Sequence, residues 1–219
     1  YAAMDAALRA RGASLRTSAI AYRTGHELPG WYEALRGTTP ESVWSQGSSA
    51  DAVAGLCSSL GTGAAVLRDY TKSMKHSWAE ACFVPDVTDV EAARAVASRF
   101  VELRDDSFTG GLVLRRFERF RGAEVRTWWT DGRCALATAH PDTPDELPDA
   151  GFQPPPLGPV IDALGLPFVT VDLVRRDDGA WRVVELGDGQ VSDRPSTTEA
   201  GELVGALLGS KRPVPKDGN

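Results

Sequence analysis

A chain of 219 residues with 42% hydrophobic residues and a net charge of −6 can bury a sizeable core in one or two lobes, and it holds no apolar run near the roughly 18 residues of a membrane span. The acidic balance makes nucleic acid an unlikely main partner, because phosphate-backbone binding rests on clustered positive charge. Cys57, Cys82 and Cys134, and His26, His76 and His140, are scattered without metal spacing, so neither a zinc centre nor a Cys/His nucleophile pair is argued from spacing, and reduced thiols in a cytoplasmic protein are expected.

Residues 1–12 read as an amphipathic helix rather than a signal peptide, and LPGWYEALRG as a second short helix ended by the Thr39-Pro40 turn. Ser49 is placed to cap a helix running to Leu60, and Gly61 and Gly63 then break the pattern before AAVLRDY, a buried strand over 64–70. The polar loop TKSMKHSWAE leads into a strand at ACFVP, and after Thr88 the recurrence of Val90, Ala93, Ala97 and Phe100 predicts a helix. GLVLRRF reads as a strand. It continues into RRFERFR, where Arg115, Arg116, Arg119 and Arg121 interleave with Phe117 and Phe120, either a strand with solvated arginines or a stacking strip for nucleic acid.

Two Asp-Gly hairpins follow, at Asp131-Gly132 and Asp178-Gly179; this dipeptide between alternating apolar runs signals a two-residue type I′ turn. In the first, pairing Trp129 with Cys134 puts Glu124, Arg126 and Trp128 opposite Ala135, Ala137 and Ala139, large groups facing small ones. In the second, pairing Asp177 with Ala180 sets Arg175 against Arg182 and Asp172 against Glu185. Like charges directly opposite, with Cβ atoms about 5 Å apart, repel unless a cation lies between them. Magnesium suits two carboxylates plus phosphate oxygens, although a solvated acidic pair would also explain them. Half of the 14 prolines fall between Pro141 and Pro159, an irregular connection. PSTTEAGELVGALLG predicts a last helix with Ala200, Leu203, Val204 and Leu207 inward, followed by a frayed tail, KRPVPKDGN.

The basic loop with Lys72 and Lys75, the Glu124/Arg126 strand and the acidic hairpin occur in an order that resembles the ATP-grasp superfamily from about Trp31 to Gln190. VLRDYTKSMKHSWAEACFV is similar to a divergent clade whose phosphate-binding lysine has moved from the strand end into the following loop, without the Gly-rich loop. The resemblance implies an α+β fold of two lobes with mainly antiparallel sheets and the nucleotide between them. It implies phosphate contacts from Arg68, Lys72, Lys75 and Arg126, ribose recognition by Glu124, and a hinge from Phe117 through Glu118 to Phe120 whose backbone pairs with adenine. It further implies magnesium on Asp172 and Glu185. Where the family commonly has Asn two residues after that Glu, this chain has Gly187 and then Asp188, which becomes the candidate third ligand. Arg68 stands where many members have lysine.

On this reading residues 1–40 are what remains of an N-terminal substrate-binding domain, 41–104 and 105–209 are the two lobes, and 210–219 a tail. ATP and Mg2+ are the implied cofactors, and the implied activity joins a carboxylate substrate to an amine through an acyl phosphate. A phosphotransferase and a non-catalytic nucleotide-binding module with an RNA or protein partner are the alternatives.

Overall fold

Two antiparallel sheets, each of four strands, organise residues 1–209, the part of the chain that the computed structural model describes. The first has the order β1-β4-β2-β3, built from β1 (Ser42–Trp44), β2 (Ala65–Asp69), β3 (Phe83–Val84) and β4 (Leu112–Arg116). The second has the order β6-β5-β7-β8, built from β5 (Phe120–Thr130), β6 (Arg133–Ala139), β7 (Phe168–Arg176) and β8 (Trp181–Asp188). Because β4 is an inner strand of the first sheet, the two sheets divide between Arg116 and Phe120. The sequence boundary at 104/105 falls instead in the connection before β4, a correction that follows from β4 pairing with β2 and β1 across a long helical crossover.

Each sheet has its own apolar core. Helix α4 (Val53–Leu60) and helix α6 (Val90–Arg104) cover the first, burying Val53, Leu56, Ala93, Ala97 and Phe100 against Leu67 and Leu114. Asp89 caps α6, its side chain accepting from Ala92 N, and Ser49 caps the 3-10 turn that runs into α4. The N-terminal segment belongs with the second core. Its helices are α1 (Ala2–Arg9), α2 (Ala19–His26) and α3 (Leu28–Leu35). Leu28, Trp31, Tyr32 and Leu35 of α3 are buried among Val169, Val171, Leu173, Val183 and Leu186. Helix α2 is absent from the sequence reading, having a Gly near its end; a Cβ on Gly25 would lie 3.3 Å from the side chain of Leu166, so the glycine serves a close approach.

The loop after β2 contains a 3-10 turn and a short helix, α5 (Trp78–Ala81), before β3. The proline-rich connection contains α7 (Gly158–Ala163) and otherwise lacks regular structure. The last helix, α8 (Ala200–Gly209), has no buried residue: Leu203 and Leu207 are half-buried, Ala200 is exposed and Val204 is 53% exposed. The inward face read from its periodicity is therefore only partly covered, since β6 is the strand it rests on. The tail KRPVPKDGN lies outside the described residues.

Both hairpins depart from simple registers. At Asp131 and Gly132, φ is 48° and 72°, the type I′ turn expected, and Trp129 does pair with Cys134. A bulge between Trp128 and Trp129 then shifts the pairing, so Trp128 faces Leu136 and Arg126 faces Thr138, not the alanines. The second turn is a three-residue loop: Arg176 N donates to Ala180 O, and Gly179 sits at φ 86°. Arg175 therefore pairs with Trp181 and Val174 with Arg182, correcting the Arg175–Arg182 pairing. One extra residue, Val184, restores the register, and Asp172 pairs with Glu185 as read. That bulge decides the chemistry. Val183 faces the core opposite Leu173, and an unbroken strand would have put Glu185 on that same core face.

Candidate active site in the interlobe cleft

The basic loop after β2 is held by one buried carboxylate. Asp69 accepts from Thr71 N at 2.7 Å, Thr71 Oγ1 at 2.9 Å, Lys72 N at 2.7 Å, Arg104 Nε at 2.9 Å and Thr109 N at 3.2 Å. This Asx-type turn aims Lys72 at the second sheet, where its Nζ lies 3.1 Å from Glu185 Oε1. Arg68, buried at the end of β2, places Nη2 3.4 Å from Glu185 Oε2 and donates to Thr71 O at 2.7 Å. Lys75 reaches Asp142 in the proline-rich connection. These contacts close one side of a cavity of about 570 Å³.

The opposite wall is the polar face of the second sheet. Arg126 grips Asp172 with a fork, Nε to Oδ1 and Nη2 to Oδ2, both at 2.8 Å. Burial pushes the Asp172 carboxyl up, but Arg126 and then His140 more than offset it, and its pKa lies below the usual carboxylate range. Glu124 sits where β5 bulges away from β7; burial, then the neighbouring Asp172 charge, raises its pKa. Of this coupled pair, Asp172 keeps the charge and Glu124 holds its proton more tightly.

Arg68, Lys72, Lys75, Glu124, Arg126, Asp172 and Glu185 thus line one cavity. Three predicted residues lie elsewhere. Asp188 is on the other face of β8, buried, where its Oδ1 accepts from Thr17 Oγ1 at 2.8 Å and helps hold the N-terminal segment. Its removal from the metal set follows from strand alternation, since Glu185 and Asp188 are three residues apart. Glu118 is bound by Arg182 through two contacts of 2.7 Å and lines a separate cavity of about 430 Å³. Phe120 is 39% exposed. The backbone of the hinge is another matter: among the described residues, the N–H and C=O of Glu118 form no backbone hydrogen bond. Phe117 packs there against Phe83 and Trp78, with ring centroids 5.2 and 6.2 Å apart.

Two histidines join the site without any signal in the sequence spacing. His140 follows β6, and its Nε2 lies 3.5 Å from Asp172 Oδ2, 3.8 Å from Glu124 Oε2 and 3.2 Å from Arg126 Nη2. The Trp128/Trp129 bulge, invisible in the dipeptide signal, brings it there. His26 lines the same cavity from α2, and burial lowers its pKa.

The donor set bears on a cation. One ligand atom each from Glu124, His140 and Asp172 lie within 4.8 Å of one another, and Asp172 faces Glu185 across the β7/β8 ladder. Carboxylate oxygens suit magnesium. In this structure Arg126 occupies Asp172, and Lys72 and Arg68 occupy Glu185, so the protein's own cations relieve the repulsion that the opposed acids create.

A family model described as an ATP-grasp domain, clade family 3, matches residues 59–207. The chain belongs to that ATP-grasp family. ATP with Mg2+ is the cofactor pair that goes with an ATP-grasp domain. Among solved structures, a RimK-domain ATP-grasp protein from Sphaerobacter thermophilus is similar over 95% of this chain and 75% of its own, with 20% identity and a TM-score of 0.59. The D-cycloserine synthetase DcsG is similar over 90% of this chain and 73% of its own, with 18% identity and a TM-score of 0.58. D-alanine–D-alanine ligase from Bacillus anthracis, in complex with ATP, is similar over 94% of this chain and 72% of its own, with 14% identity and a TM-score of 0.57. At these identities the likeness is one of fold. No curated protein matches the chain in sequence, and no helix among the described residues is long and apolar enough to cross a membrane.

Proposed function

We propose that this ATP-grasp domain transfers the γ-phosphoryl group of ATP to a carboxylate substrate and that the resulting acyl phosphate is captured by an amine, releasing ADP and phosphate. The observation that carries the reading is the convergence on one cavity of Arg68, Lys72, Lys75 and Arg126 from both lobes with the opposed acids Asp172 and Glu185. Phosphoryl transfer needs positioning and charge neutralisation more than a protein nucleophile, and the cavity offers cations and carboxylates with no Ser/His or Cys/His pair in hydrogen-bond contact among its described lining residues.

The triphosphate lies along the basic loop, with Lys72 and Arg126 exchanging their carboxylate partners for phosphate oxygens. Asp172 and Glu185, so released, are the residues that would hold magnesium, which supplies neutralisation of phosphate charge when bound. Adenine sits at the hinge, its ring edge meeting the free backbone groups of Glu118 beside Phe117, and Glu124 accepts from the ribose hydroxyls. The amine approaches from the His26 side of the cavity, which is lined by the N-terminal segment and the turn at Ser192.

Phosphorus NMR of turnover with a panel of carboxylic acids and amines tests the reading. ADP and phosphate formed only when an acid is present, together with a conjugate, are expected. AMP with pyrophosphate would mean adenylation and would overturn it, and a stable phosphorylated acid unaffected by amines would assign the chain as a phosphotransferase.

A further inference from the structure

Arg115 takes a positive charge into the interior, and among the described residues no carboxylate forms an ion pair with it. It lies on the inner strand β4, is 6% exposed, and points its guanidinium across the lobe boundary to β8. Nη1 donates to Val184 O at 2.6 Å, Nη2 donates to Val183 O at 3.2 Å and to Thr39 Oγ1, and Nε is buried without an acceptor. Thr39 supports the same place, its Oγ1 donating to Val183 O at 2.8 Å. A buried guanidinium served only by neutral oxygens is expensive, and replacement by an apolar side chain of similar volume often stabilises such sites. Its two main-chain partners, however, are the carbonyls of the bulge that carries Glu185 from the core face to the cleft face. A bulge leaves ladder groups unpaired, and here Arg115 pairs them.

We propose that Arg115 is a positioning residue: from the first lobe it clamps the Val183–Val184 bulge and thereby keeps Glu185 facing Asp172. The consequence for metal binding rests on the function proposed above, whereas the clamp does not. The experiment compares Arg115→Met, Arg115→Lys and Thr39→Val with the unaltered chain by amide hydrogen exchange and by Mn2+ affinity in the presence of ADP. Loss of hydrogen bonds from a charged donor predicts amide exchange at Val184 and Glu185 at least about tenfold faster in Arg115→Met, and Mn2+ affinity about tenfold weaker. Val171 and Thr127, elsewhere in the same sheet, keep their protection. Arg115→Lys should restore part of both losses, and Thr39→Val should give a smaller change in the same direction. Unchanged protection at the bulge in folded Arg115→Met, or a loss spread evenly over the sheet, would overturn the clamp. Should Arg115→Met fail to fold, unchanged bulge protection in both other variants would overturn it equally. An unaltered chain that binds no Mn2+ with ADP would refute Glu185 as a metal residue, and the exchange data would still decide the clamp.

Discussion

Lys72 and Arg126 both pair with a carboxylate in the cleft, yet their surroundings make the two pairs differ in consequence. The Lys72 side chain is 56% exposed, and an exposed pair contributes only about 0–1 kcal/mol, so exchange of Glu185 for a phosphate costs little. Lys72→Met should leave the thermal midpoint nearly unchanged while weakening ATP binding about tenfold, the effect of a lost charge-assisted hydrogen bond. Adenosine binding should stay within about twofold; calorimetric titration of both ligands checks this, and equal losses would mean that the lysine acts on structure. Arg126 is buried with Asp172, and its removal strands a buried charge at a cost of about 3–5 kcal/mol. The folded-state pKa of Asp172 lies below the ordinary 3.8, so the folded chain binds this proton less readily than the unfolded one. The stabilisation is complete above that value and is lost as pH falls through the folded pKa. In Arg126→Met burial dominates, the Asp172 pKa rises, and the sign reverses: this contribution is lost as pH rises instead. Thermal melts of both proteins between about pH 3 and 8 decide the matter, since parallel pH curves would contradict the account.

At the level of elements, the site depends on two local devices, the Asp69 turn and the β8 bulge. Asp69 is fully buried with five donors around it. Asp69→Asn turns an amide N–H₂ toward some of those donors and should cost about 2–3 kcal/mol in denaturant unfolding. It should also weaken ATP binding, but only while Lys72 is present; a penalty undiminished in the Lys72→Met background would show that Asp69 does not act through that lysine. The sequence makes the basic loop, the strands and the Asp172–Glu185 pairing legible because alternation and Asp-Gly turns are local signals. Bulges are not local. The second turn adds one residue and Val184 adds another, so a simple register reaches the right acidic pair through wrong intermediate pairings. His140 stays hidden for the same reason, its place beside Glu124 and Asp172 being set by the shift after Trp129. Asp188 errs in the opposite direction: it follows the metal segment closely in sequence, and strand alternation sends it to Thr17.

Over the whole molecule, the lobes are tied by charged contacts that span the cleft: Arg68 and Lys72 to Glu185, Lys75 to Asp142, and Arg115 to the β8 bulge. Lys75 belongs to the first lobe and Asp142 to the connection after β6. Asp142→Asn should therefore loosen the mouth of the cavity, raising the ATP dissociation rate by a few-fold with little change in stability, because the pair is half-exposed on both sides; stopped-flow displacement of a fluorescent ATP analogue measures it. The N-terminal helices share the second core rather than standing apart, so His26 is fixed relative to Asp172 and Glu185 and not carried on an independent unit. The central claim is that the opposed acids and the loop lysines form one site for ATP and its metal. Calorimetric titration of ATP into the protein, with and without Mg2+, and again into Glu185→Gln, tests it most directly. The account predicts binding that Mg2+ strengthens about tenfold or more in the unaltered chain and hardly at all in Glu185→Gln. ATP affinity indifferent to Mg2+ in both proteins, or no ATP binding, would contradict it.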